Sequence, residues 1–242
     1  LKHRLYDPKS RKAFPISRTK IDLYAKCPRC FWLHVRKGVK RPDGWPLTLN
    51  LAVDALLKNE HDGFRKVGAP TLLMMRYGVK AVPFDHPKLK EWRRNFGGIV
   101  HLHQPTNLLV SGVIDDVWVN EAGELHVVDY KATSKNEPAE DSSGLHPAFL
   151  RQIEVYQWLF RRNGFRVSGI GYFVQANALK DRPNFSARLE FDMKIIPHEG
   201  SDAWVEPILI DMKVNLDAPR PAKAASDCQW CRYRREAAAV DK

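Results

Sequence analysis

All four cysteines of this chain fall in two Cys-x-x-Cys pairs, Cys27-Pro28-Arg29-Cys30 and Cys228-Gln229-Trp230-Cys231, almost 200 residues apart. A bend of this kind presents two thiolates to one centre. If both pairs share that centre, nearly the whole chain is closed into a loop, which restricts the unfolded state considerably. The C-terminal segment must then return to the N-terminal one. Disulfides within each pair are the redox alternative, and a cytosolic setting argues against them. Thioredoxin-like exchange is a further alternative, but neither pair follows an initial βα unit. A four-thiolate metal centre of Cys27, Cys30, Cys228 and Cys231 is the expectation, and both Zn²⁺ and a [4Fe–4S] cluster accept four cysteines.

The charge is as localised as the cysteines. Of the formal net charge of +11, all resides in residues 1–41, which hold 13 Lys/Arg against Asp7 and Asp22. A solubility charge would be spread out; a basic block interleaved with Tyr6, Phe14, Tyr24, Phe31 and Trp32 suggests a folded surface for a polyanion. The run Arg232-Tyr233-Arg234-Arg235 would extend that surface. No stretch approaches the roughly 20 apolar residues of a membrane span, and Leu1-Lys2-His3-Arg4 opens no apolar signal region, so a cytoplasmic protein is expected.

Along the chain, residues 1–15 read as loose. A helix is predicted from Ser17, with Ser17 as its cap and Ile21, Tyr24 and Ala25 on one face, continued by Phe31 to Val35. Arg41-Pro42-Asp43-Gly44-Trp45-Pro46 breaks the chain. A second helix is predicted from Leu47 to Arg65, with Leu49, Val53, Leu56 and Leu57 as its stripe. Short elements follow, with a helical turn or two between Lys88 and Asn95. A hairpin spans 107–131 and a polar loop 134–144. A helix runs from His146 to Asn163, strands from Val167 to Gln175 and Phe185 to Ile196, and a helix from Ser201 to Leu216 with Pro207 near its start. This order predicts one domain over 1–242 of α/β (α+β) class, a mixed sheet flanked by helices. Segments 17–46 and 217–235 form the cysteine-bound subregion.

The hairpin carries the chemistry. Leu108-Leu109-Val110 and Val117-Trp118-Val119 precede the turn Glu121-Ala122-Gly123-Glu124, and Leu125-His126-Val127-Val128 follows it. Folded about the turn, Asp115 faces Asp129, and opposed side chains lie about 4.5–5.5 Å apart at Cβ. Two carboxylates so placed repel unless a cation sits between them. Lys131 shares the face of Asp129. A cation with an ammonium beside it is a device for activating water against a phosphodiester. On the helix from His146, Gln152 and Tyr156 lie four apart on one face. Gln152 could hydrogen-bond into the site; Tyr156 could stack on a base or contact phosphate.

Together these stretches resemble the PD-(D/E)XK nuclease superfamily in its RecB-like branch, especially the iron–sulfur exonucleases of CRISPR adaptation and the AddB nuclease domain. Gly112-Val113-Ile114-Asp115 resembles the family's Gly-x-Ile-Asp, Asp129-Tyr130-Lys131 its Asp-Tyr-Lys, and Gln152 to Tyr156 its Gln-x-x-x-Tyr. Ser17-Arg18-Thr19-Lys20-Ile21 through Cys27-Pro28-Arg29 resembles the N-terminal cysteine helix. The resemblance implies a restriction-endonuclease-like fold and a divalent-metal-dependent exonuclease on single-stranded DNA ends, with partners in a CRISPR or repair system. Asp115, Asp129 and the main-chain carbonyl of Tyr130 would hold Mg²⁺ or Mn²⁺; Lys131 and Gln152 would complete the catalytic set. Tyr156, Arg18, Lys20 and Arg29 are the expected nucleic-acid contacts, and a [4Fe–4S] cluster, with Zn²⁺ as alternative, the cysteine cofactor.

Two departures stand out. Family members with the cluster usually have one N-terminal cysteine and three near the C-terminus, whereas here the split is two and two. Many members carry a metal-binding histidine on the helix before the hairpin, but Leu51 to Lys58 contains none; His61 comes late and reads as a surface residue, and Asp54 or Glu60 could replace it. These departures keep a second reading open, a catalytically weak DNA-binding or complex-assembly module. A zinc-stabilised RNA-binding domain would fit the charge and cysteines but leave the Asp115/Asp129/Lys131 constellation unexplained.

Overall fold

The computed structural model describes residues 4–42, 44, 48–95 and 97–240. The start of the chain, half of the predicted breaker at 41–46, and Leu47 lie outside them. In chain order the elements are β1 (Phe14–Ser17), α1 (Arg18–Lys26), α2 (Pro28–Lys37), α3 (Thr48–Val67), α4 (Leu72–Arg76), β2 (Ala81–Pro83), α5 (Leu89–Trp92), β3 (Ile99–His103), β4 (Leu108–Gly112), β5 (Asp116–Asn120) and β6 (Leu125–Thr133). A 3₁₀ turn (Ser142–Gly144) then leads into α6 (Pro147–Arg162), β7 (Ile170–Ala178), β8 (Phe191–Glu199), α7 (Val205–Asp217) and α8 (Gln229–Val240). No described helix is long and apolar enough to cross a membrane.

The chain divides into two compact units. One comprises Leu1–Trp45, Val100–Ser111 and Ala203–Lys242; the other comprises Pro46–Ile99 and Gly112–Asp202. The expected mixed sheet flanked by helices is present, five strands in the order β2-β5-β6-β7-β8, and among the described residues a second, three-stranded sheet accompanies it in the order β1-β4-β3.

In the first unit, Phe14 and Ile16 point inward while Pro15 does not, a period-two pattern that makes β1 a strand where a loose segment was expected. β1 pairs in parallel with β4, Phe14 opposite Leu108 and Ser17 opposite Ser111. Ser17 occupies the N-cap of α1 with extended backbone, yet its side chain makes no capping bond. The predicted first helix is two. Cys27 is extended at the joint, and Pro28, which lacks an amide hydrogen, opens α2 at a position where none is needed.

The second unit is built around β6. β5 runs antiparallel to it with Asp116 opposite Val128, β7 parallel with Asp129 opposite Phe173, and β8 antiparallel to β7. The parallel step requires a crossover, and α6 supplies it. Leu57 of α3 and Met74 of α4 pack with Trp118, Val128, Tyr130 and Val174 on one face of the sheet. The alternate residues of β6 face α6, which approaches so closely that a Cβ on Gly171 would lie 2.5 Å from Ile153 Cγ2. The buried stripe of α3 is Leu57, His61 and Arg65; Leu49 and Leu56 of the predicted stripe are exposed. β8 begins six residues after the predicted Phe185, and α8 was not anticipated.

Candidate functional site

The predicted arm from Leu108 to Val119 is broken. β4 ends at Gly112, β5 begins at Asp116, and the two belong to different sheets. Asp115 is therefore a bend residue just before β5, and the β5–β6 register, continued by one residue, sets it opposite Asp129 as expected. Beyond Val128, no described strand pairs with β6 on that side. The Asp115 side chain takes the partner's place: its Oδ2 accepts the Tyr130 amide at 2.9 Å. A strand residue's N–H and C=O point the same way, so the Tyr130 carbonyl faces the Asp115 side. Two residues on, the Ala132 carbonyl on that side accepts Asn50 Nδ2 at 3.0 Å.

Asp129 is wholly buried on the α6 face. Gln152 Nε2 donates to its Oδ1 at 2.7 Å. Its Oδ2 receives no aligned hydrogen bond and is countered by the Lys131 ammonium, which also lies 4.5 Å from the centre of the Phe149 ring. Burial is the main force raising the Asp129 pKa, to about 7; Lys131 opposes the rise and the neighbouring Asp115 adds to it. The Asp115 charge is thus close enough to repel that of Asp129. Tyr156 is a correction to the sequence reading. It is 2% exposed and offers no ring face for a base. Its ring packs where a Cβ on Gly112 would sit, at 2.5 Å, and Gln152 Nε2 lies 3.3 Å from its hydroxyl. Gly112 of the Gly-x-Ile-Asp stretch makes room for the ring that backs Gln152.

Sequence reasoning missed what lies beneath. Asp116, fully buried, receives Arg65 and the Val117 amide on Oδ1, with Arg93 Nη2 also 2.8 Å away, and the Tyr130 hydroxyl on Oδ2 at 2.8 Å. Burial and the Asp116 charge hold the Tyr130 pKa well above that of a free tyrosine, so the hydroxyl stays a donor. Arg93 reaches further: its Nε donates to the Asp115 carbonyl at 2.8 Å and its Nη1 to Asp62 at 2.7 Å. Both neighbours of the site, Asp115 and Tyr130, are therefore anchored to one buried ion network. Asp116 adjoins Asp115, which was the only local hint; Arg65 and Arg93 share no periodicity with it.

On α3, Lys58 Nζ bridges Asp54 Oδ2 at 2.8 Å and Asp115 Oδ1 at 3.3 Å. Lys58 was also missed. His61 is not a surface residue: it is 2% exposed, stacks on Trp118 with centroids 5.8 Å apart, and bonds the Leu57 carbonyl through Nδ1 at 2.9 Å.

The four cysteine sulfurs, all buried within the first unit, lie within 4.8 Å of one another. Burial pushes the Cys27 thiol up, but N–H bonds from Ala225 and Cys30, with side-chain bonds from Cys228 and Cys30, outweigh it and bring the pKa down to about 7. Arg41 Nη2 donates to Cys228 Sγ at 3.3 Å. Of the predicted nucleic-acid contacts, Arg18 opens α1, and Lys20 Nζ is engaged by the His34 ring, 2.8 Å from Nε2. Arg29 lines a cavity of about 650 Å³ with Arg234 and Arg235.

The central strand of the five-stranded sheet thus carries a buried carboxylate, Asp129, beside Lys131, with Asp115 opposite. The sequence profile of the PD-(D/E)XK nuclease superfamily matches residues 48–235, and the chain belongs to that superfamily. No curated protein sequence matches the chain significantly. Among solved structures, that of SSO0001 aligns with 85% of this chain and 78% of its own at 15% identity, with a TM-score of 0.36.

Proposed function

We propose that this nuclease-superfamily member is a divalent-metal-dependent deoxyribonuclease of the RecB-like type, acting as an exonuclease on single-stranded DNA ends. One observation carries the reading: Asp115 and Asp129 converge across β5 and β6 with the Lys131 ammonium against Asp129. The donor set suits Mg²⁺ or Mn²⁺, because its members are hard oxygens and one of them, Asp129 Oδ2, is buried without an aligned hydrogen bond. Asp115, Asp129 and the Tyr130 carbonyl would hold the ion, which supplies Lewis-acid stabilisation of charge growing on the phosphate.

The chain's own groups do the rest. Gln152 fixes one oxygen of Asp129 and thereby aims the other. Lys131 orients the attacking water and offsets negative charge in the transition state. The Tyr130 amide fixes Asp115 in the same way. The basic block in residues 1–41, together with Arg234 and Arg235, supports a polyanionic substrate, and single strands suit a basic surface with interleaved aromatics.

A second reading, a nuclease-like binding module with little turnover, is favoured by one feature: Lys58 places a competing cation on Asp115 in a helix that carries no histidine before His61. End-labelled single- and double-stranded DNA incubated with Mg²⁺ or Mn²⁺ separates the two. Cleavage by the native chain, with Asp129→Ala or Lys131→Ala lowering the rate by about three orders of magnitude or more, supports the nuclease. DNA binding in EDTA without cleavage under either metal establishes the module instead. Full activity in either purified variant removes the mechanism.

A further inference from the structure

The resemblance to iron–sulfur exonucleases implies a [4Fe–4S] cluster on the four cysteines. The sulfur positions disagree with that. Cys30 Sγ lies 3.5 Å from Cys231 Sγ and 3.6 Å from Cys228 Sγ, and Cys27 Sγ lies 3.9 Å from Cys231 Sγ. No pair among the four exceeds 4.8 Å. Four thiolates sharing one tetrahedral ion at a Zn–S distance of about 2.3 Å stand roughly 3.8 Å apart, the edge of that tetrahedron. In a cubane each thiolate binds a different iron at a different corner, so the four sulfurs are pushed well outside the inorganic core and much farther from one another. The observed spacings are edges of a single-ion tetrahedron.

We infer that Cys27, Cys30, Cys228 and Cys231 hold one tetrahedral zinc ion rather than an iron–sulfur cluster. The local architecture is that of two matching halves. Cys27 is the extended residue before α2 and Cys30 lies in the first turn of α2; Cys228 precedes α8 and Cys231 lies in its first turn. Each half thus brings two sulfurs to a helix N-terminus, where the backbone favours negative charge. A tetrathiolate around a dication is left with two negative charges. The two helix N-termini and the Arg41 guanidinium on Cys228 offset them. The two-and-two split of the cysteines, unlike the one-and-three split of the cluster-bearing relatives, follows from this symmetry. Leu23, Ala224 and Ala225 pack against the four cysteines, and four thiolates leave a tetrahedral structural ion no open position.

The test uses the full chain, purified anaerobically without a polyhistidine tag. Metal analysis is expected to give about one zinc per chain without iron or acid-labile sulfide, in a colourless solution. Zinc-edge X-ray absorption should show four sulfur neighbours and no metal–metal scatterer. Protein produced with Co²⁺ should carry the intense red-region ligand-field bands of a tetrahedral thiolate site. About four irons with matching sulfide and a broad visible absorption would overturn the assignment. So would protein that contains neither metal and takes up no equivalent of added zinc or cobalt. These readouts are independent of nuclease activity, so their failure leaves the carboxylate site untouched, and an inactive chain holding one zinc still supports the inference.

Discussion

The two candidate metal sites of this molecule are built on opposite principles. The carboxylate site carries its own cations: Lys131 sits against Asp129, and Lys58 reaches Asp115. Its donors are hard, and Asp115 keeps a side-chain exposure of 23%. The cysteine site has soft donors, all buried, with two helix N-termini and the Arg41 guanidinium as counter-charge. The first can stand empty because ammonium groups neutralise it. The second, as a thiolate cluster, stands together only around an ion. One is suited to exchange and the other to permanence.

The sharpest way to break that contrast is to remove one thiolate. Cys231→Ser should lower chemical stability by several kcal/mol, since binding energy at a structural zinc is folding energy. A urea unfolding curve measures the loss, and an unchanged midpoint would show that the cysteines do not hold the fold. A smaller effect is expected at the carboxylate site from Gly112→Ala. The added methyl would collide with the Tyr156 ring, costing about 1–3 kcal/mol, and should reduce cleavage further by loosening Gln152. Thermal melts and rates on the same variant separate the two contributions.

The pH dependence of the metal-free protein comes next. Asp129 binds its proton more tightly folded, at about 7, than unfolded, near 3.8. The folded state therefore holds more protons between those values. The stability linked to that proton is fully present below the unfolded value and is lost as pH rises through about 7. Asp129→Asn should flatten this part of the profile, and melting curves in EDTA across that range check it. A rise in stability over the same window would mean that another group dominates. The smallest effect is expected for Lys58→Met. Withdrawing the ammonium from Asp115 should tighten Mn²⁺ binding a few-fold, readable by titration calorimetry.

Much of the carboxylate site was legible because its parts are local. Asp129 and Lys131 share a face by strand alternation, Gln152 and Tyr156 by helical spacing, and the turn at 121–124 fixed the register that opposes Asp115 to Asp129. The supporting groups were not legible. Arg65, Arg93 and Asp116 come from a helix, a loop and a strand, and only the folded chain brings them together. His61 looked superficial because the stripe of α3 was read from its leucines, while the buried face runs through Leu57, His61 and Arg65. β1 was hidden by the brevity of a pattern that needs β4 beside it. Tyr156 was recognised as belonging to the site but assigned to nucleic acid; the glycine that receives its ring is 44 residues away in sequence.

Both carboxylates of the site have one arm tied. Asp115 commits Oδ2 to the Tyr130 amide, and Asp129 commits Oδ1 to Gln152. Each would therefore offer a cation one oxygen that is free of that hydrogen bond. Calcium gains much of its hold from two-oxygen clasps and high ligand number, whereas magnesium is content with single contacts and a retained coat of solvent. Two hydrogen bonds made by neighbouring residues would thus favour the smaller of the two ions at this site.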